Sequence, residues 1–158
     1  MNPSEDIAVE FRAMSSLPQA VKDALTQLME GHRPNQRELF RQWLRHPVAG
    51  MYAAIVRAQG DLLGFAAASL HDSWRMGMVG VYVHPTFRGQ GLARRALDTL
   101  LANIRFVVAD RPEYLYYEEG KERLFRIHIE RHGFKDLFLH QQEYSERYRK
   151  ATNIPSTT

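Results

Sequence analysis

The 158-residue sequence contains no cysteine. That excludes a disulfide framework, a thiol nucleophile and any thiolate metal site, while histidine and carboxylate ligation stays open. No run of about 18 consecutive apolar residues, the length a membrane-spanning helix needs, occurs anywhere. The opening MNPSEDIAVEF lacks the basic-then-apolar order of a secretory signal, so a soluble cytoplasmic protein without membrane association is expected. Repeats, linkers and low-complexity segments are also missing. The seven histidines show no metal-ligand spacing, and no metal is expected.

What is present suits a packed fold. With 44% apolar and 25% charged residues, the chain reads as one α/β domain over residues 1–150, followed by a frayed tail at 151–158. The net charge of +3 is carried by far more arginine than lysine, which favours bidentate recognition of phosphate or carboxylate. Arg37, Arg41 and Arg45 stand four apart on one helix face. That row is either a solvated face or a wall for an anionic acceptor.

Periodicity orders the elements. A first strand covers Ile7 to Met14, and Ser15 and Ser16 offer caps for a helix from Leu17 to Glu30. Asn35 is expected to cap a second helix that ends near Arg45, ahead of Pro47. Met51–Ala58, Leu62–Leu70 and Arg75–Val83 then read as an antiparallel meander. The last of these strands contains Gly77 and Gly80, and glycine inside a strand marks a bulge or a close approach of a ligand. A helix from Leu92 to about Ala109 follows, with Leu92, Ala96, Leu97, Leu100, Leu101, Ile104 and Val108 at helical spacing. After the turn Asp110-Arg111-Pro112 come an aromatic strand, Glu113–Glu118, and a helix, Lys121–His132, closed by Gly133. The intervening helix makes the aromatic strand parallel to Arg75–Val83. Phe134–His140 reads as a final strand, and residues 141–150 fit either a strand or a polar helix.

The chemistry concentrates in Val79-Gly80-Val81-Tyr82-Val83-His84-Pro85-Thr86-Phe87-Arg88-Gly89-Gln90-Gly91-Leu92-Ala93. A buried strand here meets a glycine-bearing turn that opens a helix, whose first free N–H groups and positive dipole end favour a phosphate. A dinucleotide fingerprint would need a third glycine where Arg94 stands, and a Walker A loop needs Gly-Lys-Ser/Thr, which is absent.

The segment instead resembles the acetyl-CoA signature of the GNAT superfamily of N-acetyltransferases: Arg or Gln, two residues, Gly, one residue, Gly or Ala. Arg88, Gly91 and Ala93 match it. The upstream Val81, Val83 and Pro85, the element order and the closing Gly133-Phe134 extend the resemblance over residues 7 to 140. It implies a β-α-α-β-β-β-α-β-α-β mixed sheet, splayed between the fourth and fifth strands, with acetyl-CoA as co-substrate. Val81, Val83, Arg88, Gly89, Gln90, Gly91, Leu92, Ala93 and Arg94 would bind that cofactor. Val81 and Val83 would offer backbone groups to pantetheine, and the turn would hold the pyrophosphate. The reaction implied is direct attack by an acceptor amine on the thioester.

The sequence departs from the family where a base and an acid are common. A carboxylate base would stand at Gly77 and an acidic tyrosine at Ile129, while Glu122 replaces a frequent asparagine. Tyr82, Tyr116 and Glu118 are the catalytic candidates, with His84, His128 and His132 behind them. Tyr117 lies on the opposite face of its strand from Tyr116 and Glu118.

Three functions compete: an N-acetyltransferase acting on an amine, a regulatory or partner-binding acyl-CoA protein on the same fold, and a helix-turn-helix nucleic-acid binder. Against the last, the second helix has a narrow polar face, and the meander would go unexplained. The terminal segment could exchange with a partner subunit, which leaves a homodimer open.

Overall fold

The computed structural model describes residues 6–31, 34–47, 49–107, 112–118 and 120–152. Its elements are β1 (Ile7–Ala13), α1 (Gln19–Leu28), α2 (Pro34–Arg45), β2 (Met51–Ala58), β3 (Asp61–Leu70) and β4 (Arg75–Val83). There follow α3 (Leu92–Val107), β5 (Tyr114–Tyr116), α4 (Glu122–Arg131), β6 (Lys135–Asp136) and α5 (Gln141–Thr152). The strands form one sheet in chain order, antiparallel from β1 to β4 and parallel from β4 to β6.

Two apolar clusters sandwich this sheet. On one face Leu92, Ala96, Leu97, Leu100, Leu101 and Ile104 of α3, with Phe125 and Ile129 of α4, are buried against Ala66, Met76, Val83 and Leu115. On the other, Leu25 of α1 and Phe40 and Leu44 of α2 cover Ala53, Ile55, Phe65, Ala67 and Tyr82. Alternation along β4 therefore sends Met76, Val81 and Val83 toward α3 and Tyr82 toward α1, with a β-bulge marked by the register shift at Ala67/Ala68. The Gly133 closure of α4 is a Schellman motif: Phe134 N–H reaches Ile129 O at 3.0 Å, and Gly133 N–H reaches Glu130 O at 3.0 Å.

Several local expectations are corrected. Ser15 and Ser16 do not cap α1; Ser16 Oγ donates to Ala13 O within a 3-10 turn, and the helix starts after Pro18. Asn35 is not a cap either, because α2 already begins at Pro34, where a missing N–H costs nothing. The strand expected over Phe134–His140 shrinks to Lys135–Asp136. Its apolar residues look extended in sequence, but the Asp136 side chain captures Phe138 N–H at 2.9 Å and turns the chain. Residues 141–150 resolve as helix, within α5. His32, Arg33, Val108, Asp110, Arg111 and the tail 153–158 lie outside the described residues. Among the described residues no helix is long and apolar enough to cross a membrane.

Candidate functional site

The site forms where β4 leaves β5. The two pair in parallel at Arg75–Tyr114, Met76–Leu115 and Gly77–Tyr116, and then part, so the sheet is splayed between them. His84 N–H donates to Leu63 O on β3 at 2.7 Å. Because backbone groups alternate along a strand, Tyr82 turns its groups toward β3, while Val81 and Val83 turn theirs into the gap. The free edge of β4 thus carries the two residues expected to meet pantetheine.

The strand ends at a turn that only glycine adopts without strain: φ is 85° at Gly89 and 76° at Gly91, and a Cβ at either would meet nothing within 4 Å. Arg95 N–H bonds Gly91 O at 3.1 Å, which starts α3 and leaves the N–H groups of Leu92, Ala93 and Arg94 without intrahelical acceptors. A cavity of about 550 Å³ opens onto this turn, lined among others by Gly31, Tyr82, Arg94 and Lys121. Arg88 folds back: its Nε donates to Val83 O at 3.0 Å, and its guanidinium lies 5.4 Å from the Tyr82 ring centroid. Of the next two arginines, Arg94 lines the cavity and Arg95 is drawn to Ile7 O. Around the corner Arg94, Arg123 and Arg131 surround Asp98 in a second groove between α3 and α4. Burial opposes the Asp98 charge, but hydrogen bonds from His128 and His132, 2.8 and 2.9 Å long, outweigh it and hold the carboxyl below its usual range.

The other end of the gap is built from side chains. Gly77 is glycine because the Tyr116 ring crosses it, and an added Cβ would fall 2.6 Å from Cζ and 2.7 Å from the hydroxyl. Of the two β4 glycines only Gly80 leaves open space; a Cβ there meets nothing within 4 Å. The Tyr116 hydroxyl is hydrogen-bonded to His71 Nε2. Arg75 is held between the Tyr116 and Tyr144 rings, 5.6 and 5.4 Å from their centroids. Tyr144 of α5 in turn donates to Asp72 at 2.7 Å, fastening the terminal helix to the β3–β4 turn. Burial raises the Tyr116 phenol above its ordinary range despite Arg75, and burial together with Arg75 lowers His71 despite Asp72. Burial and the Asp72 bond push Tyr144 to about 12.

The remaining candidates separate clearly. Tyr82 is buried in the α1-side core, borders the cavity at the Gly89/Gly91 turn and also lines a neighbouring one of about 640 Å³ with His84. His84 Nδ1 accepts Thr86 N–H at 3.1 Å, which caps the turn. Glu118 is exposed beyond the end of β5. Tyr117 is structural: fully buried, it donates to Asp136 at 2.6 Å, and burial and that bond push it to about 12. Ile129 sits in the core, so no acid acts from its position. His128 and His132 face Asp98, away from the splay. None of the three row arginines lines either cavity beside the β4 turn; Arg41 and Arg45 line a groove between α1 and α2, and Arg37 bonds Glu30 O at 3.0 Å. His71 and Asp72 were hidden in sequence in an ordinary turn, and Arg75 as the first residue of a strand. The one available signal was the Asp72 Asx contact to Trp74 N–H that shapes the turn. Among the described residues no group of three or more histidines or carboxylates is placed to hold a metal ion.

The fold agrees with the comparisons. The model of the acetyltransferase (GNAT) family matches residues 17–134. In fold the chain is similar to a GNAT-family N-acetyltransferase (YhbS) from Escherichia coli in complex with CoA, with a TM-score of 0.62 and 17% identity over 78% of this chain and 67% of that one. It is also similar to a GNAT-family protein from Desulfovibrio desulfuricans, with a TM-score of 0.55 and 19% identity over 80% and 84% of the two chains. A third likeness is to the aminoglycoside acetyltransferase AAC(6')-Iy bound to a CoA bisubstrate analogue, with a TM-score of 0.50 and 18% identity over 82% and 91%. No curated protein matches the sequence. The chain belongs to the acetyltransferase (GNAT) family, and acyl transfer is the class of chemistry its fold and site define.

Proposed function

We propose that the chain is an acetyl-CoA-dependent N-acetyltransferase of the cytoplasm, moving the acetyl group to an amine by direct attack on the thioester. The observation that carries this reading is the continuity between the released edge of β4 and the Gly89/Gly91 turn. Pantetheine extends along Val81 and Val83 as an added strand, and the pyrophosphate rests on the amides from Gly89 to Arg94. The basic groove of Arg94, Arg123 and Arg131 suits the remaining phosphate of the cofactor. With the thioester held at the splay, a β4 amide near Val81 stabilises the oxyanion. Positioning the amine against the carbonyl supplies much of the rest. The acceptor enters from the open space at Gly80, on the α1 side of the sheet.

The test is a thermal shift with acetyl-CoA and with free CoA, on wild type and on Gly91→Glu, followed by thiol release against a panel of amines. Stabilisation lost in the variant, with turnover of an amine in wild type, is the expected outcome. The buried Ile129 and the glycine at position 77 favour a second reading, a regulatory acyl-CoA-binding protein. Binding without turnover selects it.

A further inference from the structure

Tyr116 is the last paired residue of β5 before the gap opens, and its hydroxyl occupies the space a side chain at position 77 would fill. It is half-buried, and its partner His71 is exposed at the end of β3. Tyr117, one residue on, contrasts with it: that phenol is sealed in the core against Asp136. Two tyrosines in sequence therefore serve opposite faces, one sealed and one open to the splay. The open one is backed by a group able to take a proton.

We propose that Tyr116 is a catalytic residue of the acyl transfer and that His71 acts through it, together forming a proton relay from the incoming acceptor ammonium. This rests on the acetyltransferase reading above. The phenol oxygen accepts one proton from the ammonium while the phenol passes its own to His71 Nε2, so Tyr116 ends protonated and His71 becomes an imidazolium. The neutral amine attacks the thioester carbonyl, forming the C–N bond. Collapse of the tetrahedral intermediate breaks the C–S bond, and the amide nitrogen gives its surplus proton to the leaving CoA thiolate. His71, exposed, returns its proton to water. An amine, a thioester and water are the only reactants needed.

The charged and titratable groups around the pair come from β4, the β3–β4 turn and α5, and farther off from β5 and β6. Arg75 of β4 lies over the Tyr116 ring, and Asp72 in the adjoining turn is bonded by Tyr144 of α5. Farther along, Tyr114 lies under Lys135, which is paired with Glu143. Burial and, after it, Arg75 disfavour a charged His71 despite Asp72, so the imidazole is neutral and receptive near neutral pH, the state the relay requires. Burial keeps the phenol protonated there as well.

The experiment uses wild type, Tyr116→Phe, His71→Gln and the double variant. Acetyl-CoA affinity is measured by calorimetry, and turnover against alkylamines, polyamines, an aminoglycoside and peptide N-termini as a function of pH. Unchanged acetyl-CoA affinity in all four, with a loss of tenfold or more in kcat for Tyr116→Phe, is expected. In wild type kcat/KM falls on the acid side as His71 gains a proton; His71→Gln loses that limb, and the double variant is no slower than Tyr116→Phe. A Tyr116→Phe rate within twofold of wild type, or an acid limb unmoved by His71→Gln, overturns the relay and leaves the acetyltransferase standing. Should Tyr116→Phe not fold, the His71→Gln pH profile decides alone. A wild type that binds no acetyl-CoA overturns both readings, and one that binds it but acetylates no amine overturns the relay.

Discussion

The two ends of the β4–β5 gap are made of different material. The end proposed for the cofactor is mostly backbone: a strand edge, two glycines with positive φ and the first amides of α3. The opposite end is side chain, with His71 and Asp72 from the β3–β4 turn, Arg75 from β4, Tyr116 from β5 and Tyr144 from α5. Backbone recognition depends on conformation, and conformation leaves a short contiguous signature. A side-chain cluster drawn from residues 71 to 144 leaves none.

Substitutions should divide along the same line. The largest effect is expected from Gly91→Glu, where a non-glycine residue at a φ of 76° is strained and a carboxylate confronts phosphate. Wild type at one hundred times Kd should gain about 2.7 kcal/mol of stability from acetyl-CoA. The variant should gain none in a thermal shift, and a retained shift would move the pyrophosphate elsewhere. Next comes Tyr117→Phe, which strips the buried Asp136 of its phenol donor. A loss of about 1–3 kcal/mol in chemical denaturation is expected, with acetyl-CoA affinity intact.

Burial and this bond together give Tyr117 a pH signature. A phenol held at about 12 in the folded chain, above the ordinary value of about 10, contributes fully below the unfolded value and loses that contribution as pH rises through the folded one. Stability should therefore fall between about pH 10 and 12, less steeply in Tyr117→Phe. Tyr144→Phe is smaller: it frees the Asp72 contact at a cost of about 1 kcal/mol. It should raise KM for the acceptor alone, and an altered acetyl-CoA affinity would show that the two ends are not separate. Arg41→Glu, on the groove between α1 and α2, should change stability by no more than about 0.5 kcal/mol and leave acceptor KM where it was. A raised KM would put the arginine row back at the gap.

Much of the fold was legible in the sequence. The apolar spacing of α3 anticipated six buried positions from Leu92 to Ile104, and the glycines of β4 pointed to its irregularity. The parallel pairing of β5 with β4 followed from the helix between them. What failed was local competition. Residues 134–140 look extended in sequence, but a single aspartate captured the N–H two residues on and bent the chain. The turn Arg88–Ala93 was legible for the same reason that Tyr116 was only a candidate. Glycine declares its φ in the sequence, whereas nothing near Gly77 announces that a ring from a strand almost forty positions later lies across it. His71 passed for a turn residue because its partner is 45 positions away.

The bond between Tyr144 and Asp72 carries a consequence for descent within the family. The last helix of the described chain is fastened to the β3–β4 turn, so it would close the proposed acceptor side without entering the Gly89/Gly91 turn. One contiguous stretch after residue 140 can therefore be exchanged, lengthened or recoded while everything that would grip the nucleotide is inherited unaltered. A fold arranged in this way changes its customer by rewriting its final paragraph.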